Sequence, residues 1–271
     1  MIYFTLPNFY YYREINNYLK QLAKHHPEYF LYNMKIYGEE GSFAFHYFNG
    51  NGLNTTYPYF RKEICDYYTI QKEHELHYFE TLILDCSNIY LNEKDLNDTV
   101  ENLTLQLMQN GDNKVLVSNN IIKNYIKNNF PQYEILASEF YNGNLDDILR
   151  KRYFYFNIDY SLPKNKVEVI LTTPCQCDKY LECKKINHKK QYNYQQNSVF
   201  DDCNLHNIKK YYFDRDLIKN LIEQGYRYFS FDLNNFNIND CEDILYFYLE
   251  FFIKEEYQSD AQLFLRGLKT I

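Results

Sequence analysis

The feature that most constrains this chain is a succession of short apolar runs, with helical patterns between most of them. The runs are 42–48 (SFAFHYF), 81–86 (TLILDC), 114–118 (KVLVS), 133–138 (YEILAS), 153–158 (YFYFNI), 167–172 (VEVILT) and 228–232 (YFSFD). Most are continuous rather than alternating, as in strands covered on both faces. A run at 32–37 is a candidate eighth. Between them, 93–109 places Leu96, Val100, Leu103 and Leu107 along one helical face and stops at Asn110-Gly111. A short helix at 121–128 ends before Pro131. The segment 214–224 carries Leu217, Ile218, Leu221 and Ile222 on one stripe and closes at Gly225. Further helices are expected at 9–23, 241–254 and 260–268.

Strands alternating with helices mean βαβ units and a parallel sheet, either closed into a barrel or open and doubly wound. No GxGxxG or GxxxxGK[ST] follows any run, which removes the commonest reason for an open nucleotide-binding sheet. The expectation is therefore a (β/α)8-like, TIM-type barrel, regular or irregular, with extra C-terminal helices. No linker, repeat or low-complexity tract divides residues 1–271, so they form one α/β domain.

A net charge of −7 and a pI near 5.5 argue against nucleic acid as the main partner, although KKINHKK at 184–190 is a local patch able to hold a phosphate. The opening residues lack the basic region and cleavage site of a signal peptide, and no apolar run is long enough to span a membrane. These observations favour a cytoplasmic protein with reduced cysteines, as does the odd count of seven.

In such a barrel the chemistry collects at the carboxyl ends of the strands. Here those ends carry Asn49-Gly50-Asn51-Gly52, Ser87-Asn88, Ser118-Asn119-Asn120, Glu139, Asn157 with Asp159, Thr172-Thr173, and Asp232 with Asn234. Turns and helix caps use the same residue types, and each one taken singly reads that way first. Together they line a mouth suited to a small polar molecule rather than a phosphorylated one. Asn88, Asn119, Glu139 and Asp159 are the candidates for orienting substrate or moving protons.

The segment 172–188, TTPCQCDKYLECKKINH, spaces three cysteines as C-x-C-x5-C, with nineteen residues between the last of them and Cys203. Four thiolates suit a tetrahedral zinc or a [4Fe–4S] cluster. Neither C-x2-C zinc knuckle nor the radical-SAM spacing C-x3-C-x2-C occurs. Cys175, Cys177, Cys183 and Cys203 are the candidate ligands, with His188 and His206 as substitutes. A nucleophilic cysteine paired with His188, or inert buried thiols, are the competing readings. Cys65, Cys86 and Cys241 stand apart, and Cys86 fits burial as a small hydrophobe.

A strand ending in a small polar residue, followed by cysteines, basic residues and a histidine, resembles the cluster region of the collagenase-like peptidase family. Several members of that family are iron–sulfur barrel proteins of oxygen-independent hydroxylation. LILDCSNIYL (82–91), KVLVSNNIIKNYI (114–126) and GYRYFSFDLNN (225–235) resemble its barrel strands and those of uncharacterised bacterial relatives. The chain departs from the family in cysteine spacing, and 229–234 lacks the family's Gly and Arg. What the resemblance implies is a barrel with a cysteine-bound cluster and little about substrate. A peptidase activity gains nothing from it, because no H-E-x-x-H or G-x-S-x-G is present.

Three functions follow as expectations. One is an iron–sulfur oxidoreductase or hydroxylase, or its accessory subunit, acting on a small polar or aromatic molecule. Another is a zinc-stabilised binding or adaptor module, and the third a metal-free barrel that binds or hydrolyses a small molecule. The Tyr-rich stretches Phe9-Tyr10-Tyr11-Tyr12 and Tyr57-Pro58-Tyr59, and the C-terminal helices, are candidate surfaces for a protein partner or a homo-oligomer, though core packing explains them equally well.

Overall fold

A computed structural model describes residues 1–9, 12–42, 48, 81–172, 181–182, 185–186, 215–231 and 241–267. Eight parallel strands close into a barrel in sequence order: β1 (Ile2–Leu6), β2 (Met34–Gly41), β3 (Leu82–Cys86), β4 (Lys114–Val117), β5 (Glu134–Ala137), β6 (Lys151–Phe154), β7 (Val167–Ile170) and β8 (Tyr228–Ser230). The ring is sealed where β1 pairs with β8, Tyr3 against Tyr228 and Phe4 against Phe229. Around it lie α1 (Arg13–His25), α2 (Thr99–Leu107), α3 (Asn120–Asn129), α4 (Arg215–Glu223), α5 (Cys241–Phe252) and α6 (Gln258–Leu265).

Strands and helices alternate in part. The connections from β5 to β6 and from β6 to β7 contain no α-helix, the second holding the 3-10 turn Lys164–Lys166. Two helices, α5 and α6, follow β8. The apolar faces of α5 are spent inside the chain: Ile244, Phe247, Tyr248, Phe251 and Phe252 are buried in the cluster that holds β1, β7 and β8. Phe9 and Tyr12 are also core residues, whereas Tyr10, Tyr11 and 57–59 lie outside the described residues.

Three strand expectations are corrected. The opening residues form β1, a strand that the sequence reading left unassigned. β2 takes up the 32–37 run and extends to Gly41, while of 42–48 only Ser42 and Phe48 are described, neither in a strand. β6 begins two residues before the expected 153–158, because Lys151 and Arg152, which read as loop, are part of the barrel wall.

Each strand offers one row of side chains to the helices and the alternate row to the interior. Leu82, Leu84, Cys86, Val115, Val117, Ile135 and Ala137 pack outward in one cluster, and Phe4, Leu6, Val167, Val169, Phe229 and Phe231 in another. Ile83, Leu116 and Leu136 form a separate interior cluster. An irregularity in β2, where Phe4 faces Ile36 but Thr5 faces Gly38, inserts one extra residue at Tyr37. It sets the phase of the glutamates that follow. Glu39 points outward to Lys20 and to Asn16 of α1, whose Nδ2 donates to Glu39 Oε2 at 2.9 Å, and Glu40 points inward.

Candidate functional site

The interior rows of this barrel are charged and hydroxylic where such barrels are dominated by branched apolar residues. At the amino-terminal end the guanidinium of Arg150 lies between two rings, 4.4 Å from the centroid of Tyr37 and 3.8 Å from that of Tyr228. Tyr3 stacks on the far face of this group, its ring centroid 5.0 Å from Tyr228. Cation–π contact and burial together close that end of the barrel.

Two residues further along β6, Arg152 reaches across the interior. Its Nε donates to Glu168 Oε1 at 2.8 Å, on the neighbouring strand, and its Nη1 donates to Glu40 Oε2. Strands β2 and β6 stand four apart in a ring of eight, so this bridge spans the barrel's width. Arg150 Nε lies 3.8 Å from the other oxygen of Glu168. Asp85, inward on β3 and fully buried, brings a third carboxyl group.

Three buried carboxyl groups face two buried guanidiniums, so full ionisation leaves one negative charge uncompensated among them. Retaining a proton costs less than burying that charge. Glu40 is where the strain falls: burial raises its pKa from 4.5 to about 7, against the pull of Arg152 and with the push of Asp85 and Glu168. Burial by itself favours loss of the Arg152 proton, but Glu168 and Glu40 outweigh it and hold the guanidinium charged.

Toward the carboxyl ends the interior turns to hydroxyls. Every strand but β6 presents a buried Ser or Thr at or just beyond its end: Thr5, Ser42, Ser87, Ser118, Ser138, Thr172 and Ser230. β6 offers Phe154 instead, stacked on the exposed ring of Phe156 at 5.3 Å. The hydroxyls of Ser42, Ser118 and Ser230 have no hydrogen-bond partner among the described residues, and neither does Arg152 Nη2. Buried polar atoms are nearly always satisfied. Unsatisfied ones on the inward rows of β2, β4, β6 and β8 leave hydrogen-bonding capacity that a bound polar molecule or ordered water would take up.

The sequence candidates fall at the same end of the barrel in different roles. Asn88 is fully buried beyond β3, its Oδ1 accepting from the Tyr90 backbone N–H at 3.0 Å. Asn119 caps α3, accepting from Ile122 N–H at 3.1 Å. Asp159 is exposed and closes a turn with Ser161, whose hydroxyl and, second to it, backbone N–H hold its carboxyl below the usual range. Glu139 is half-buried and joins Asp159 in opposing the burial-driven lowering of the Lys151 pKa. Glu139 and Asp159 thus share Lys151, while Asn88 and Asn119 each hold a local backbone turn. Glu40, Asp85, Arg152 and Glu168 were missed; a usable signal was present for Asp85 and Glu168, each the one charge in the apolar strands LILDC and VEVI, but not for Glu40 and Arg152, which have charged neighbours in sequence.

Cys86 is buried among the helix-facing residues of β3, its thiol pKa pushed up by burial, Glu101 and Asp85, which makes it an inert packing group. Cys175, Cys177, Cys183, Cys203 and His188 lie outside the described residues. Among the described residues no three His, Cys, Asp or Glu side chains converge as a metal site, and no helix is long and apolar enough to cross a membrane. No family model matches the chain, and searches of curated proteins and of solved structures return no significant match.

Proposed function

We propose that this chain is a TIM-type barrel enzyme that binds a small polar molecule at the carboxyl end of its barrel and moves a proton there. Glu40 is the proton carrier and Arg152 the anchor. The observation that carries this reading is the Glu40–Arg152–Glu168 bridge, set across the interior beneath a collar of unsatisfied hydroxyls. A carboxyl group with a pKa of about 7 is half protonated at neutral pH, so it can give or take a proton with little driving force wasted. Glu168 orients the guanidinium from the far side. A buried carboxyl group perturbed by a specific charge partner is one mark by which acid–base enzymes are recognised from their structures.

The test is spectroscopic first. In protein carrying 13C-labelled glutamate, one carboxyl resonance should titrate near pH 7 and vanish in Glu40→Gln. If every glutamate titrates between about 3 and 5.5, the reading is wrong. Incubating a panel of small hydroxy, keto and amino compounds in D2O should then reveal proton exchange, reduced on the order of a hundredfold or more in folded Glu40→Gln.

A second reading is supported by where β7 delivers the chain. The strand that supplies Glu168 ends at Ile170, and buried Thr172 just beyond it lies three residues before Cys175. In this reading Cys175, Cys177, Cys183 and Cys203 hold a [4Fe–4S] cluster, with His188 as a substitute ligand, and the cluster supplies electrons for redox or hydroxylation chemistry on a small polar or aromatic substrate. Anaerobically purified protein should be brown, absorb near ~400 nm and contain about four irons per chain. Colourless, iron-free protein removes the cluster, and zinc with chelator-sensitive unfolding makes the metal structural.

A further inference from the structure

The mouth also carries information about the chemical class of what it binds, on the reading of that mouth as a substrate site. We infer that the ligand is a small organic carboxylate, its oxygens received by Nη2 of Arg152 and by the hydroxyls of Ser230, Ser118 and Ser42.

The balance of hydrogen-bonding capacity points this way. Arg152 is fixed by carboxylates on two of its three nitrogens, so the third is a rigid, charged donor with nothing to donate to among the described residues. The three serine hydroxyls rotate freely and can all donate at once. They come from β8, β4 and β2, and so approach from three sides of the interior. An unmet guanidinium nitrogen, with hydroxyl donors on other strands of the same interior, calls for an acceptor-rich, charged head, and a carboxylate fits that demand. The apolar walls at this level, Leu116, Phe154 and Ile170, are suited to the rest of a short aliphatic or aromatic acid.

The charges select among anions and cations. The groups facing Glu40 are Arg152 from β6, Glu168 from β7 and Asp85 from β3, with Arg150 deeper in the barrel. With Glu40 protonated, two guanidiniums balance two carboxylates, and a monoanion adds one charge beside the donors that meet it. A phosphate dianion adds two charges next to three carboxyl groups. An ammonium group could accept nothing from Arg152 Nη2 and would leave that charged donor unmet. Entry of a monoanion also stabilises the proton on Glu40, so binding at neutral pH takes up a proton.

The experiment sets each acid against its uncharged isostere, using the full chain. Propionate and benzoate, with propionamide and benzamide beside them, are titrated by calorimetry in buffers of different ionisation enthalpy and by thermal melting. The acids should bind and raise Tm while the amides do not. Affinity should fall by up to about tenfold per pH unit above pH 7, with proton uptake visible in the buffer dependence. Ser230→Ala and Ser118→Ala, which keep the fold, should each weaken binding roughly two- to tenfold, and Arg152→Lys should abolish it. Equal binding of the amides overturns the carboxylate assignment, as does acid binding unchanged in both serine variants. If neither class binds while Glu40 titrates near pH 7, the class is wrong and the proton-transfer site stands. Failure to bind with Glu40 titrating in the ordinary range removes both.

Discussion

Glu40 sits one residue from Glu39, and the two show how little of a side chain's chemistry its identity decides. Both are buried and both have raised pKa values, chiefly from burial. Glu39 is answered by Lys20 and Asn16 of α1, and the hydroxyl of Tyr248 completes that network by donating to Asn16 Oδ1 at 2.6 Å. Glu40 shares one guanidinium with Glu168. Folded Glu40 keeps its proton to about pH 7, whereas the unfolded carboxyl releases it near 4.5. Between those values the folded state binds the extra proton, so this contribution to stability is complete below 4.5 and is lost as pH rises toward 7. Stability should decline over that window by up to about 3 kcal/mol, and urea unfolding of Glu40→Gln across pH 5–8 should lack that part of the slope. A parallel slope in the variant would assign the effect to other groups. These residues were hard to read because a charge inside an apolar run resembles a strand boundary. KRYF was therefore placed two residues late, and Asp85 and Glu168 passed as incidental members of LILDC and VEVIL.

Elements of a continuous apolar run were legible: β3, β4, β5 and β7 lie within two residues of their expected ends, because burial on both faces writes itself directly into composition. The strand β1 was not, since MIYFTL is a short apolar opening with no preceding turn to mark it as a strand. The helix-free connection from β5 to β6 is held by a side-chain lock. The hydroxyl of Tyr141 donates to Oδ1 of Asn120, in the first turn of α3, at 2.6 Å, and the Asn144 carbonyl oxygen lies 3.1 Å from the same hydroxyl. Gly143 lies against it, and an added Cβ would meet Asn120 Oδ1 at 2.3 Å and the Tyr141 hydroxyl at 2.5 Å. Gly143→Ala should therefore cost about 1–3 kcal/mol in denaturant unfolding, and an unchanged midpoint would show that the lock yields. Asn119→Ala, which removes the α3 cap, should cost about 1 kcal/mol. If Asn119 instead orients substrate, the same variant loses turnover out of proportion to that cost.

Closure of the whole ring depends on residues from opposite ends of the sequence. Phe4 of β1 meets Phe229 and Phe231 beside it, and Phe251 and Phe252 of α5 edge-on, with centroids 5.1–5.8 Å apart. A helix after the last strand thus clamps the seam between the first and the last. Phe4→Ala should lower stability by about 3–5 kcal/mol. The loss should appear at one midpoint in both far- and near-ultraviolet circular dichroism, because the seam belongs to the single cooperative unit; two separated transitions would contradict that. The barrel as a whole was legible from the order of strands and helices. Its polar interior was not, because which residues face inward depends on the phase of each strand, and apolar composition does not encode phase.

The extra residue in β2 gives that phase an evolutionary edge. Deleting one residue at Tyr37 or Gly38 would slide the following segment by a single step and exchange inner for outer positions. On the outer wall the slip is silent, since Glu40 would replace Glu39 opposite Lys20. Inside, Gly41 would take the place of the acid, and Arg152 would lose its partner across the barrel. A one-residue deletion here is therefore a route by which a descendant could keep the fold and lose the proton, leaving a barrel outwardly unchanged and inwardly inert.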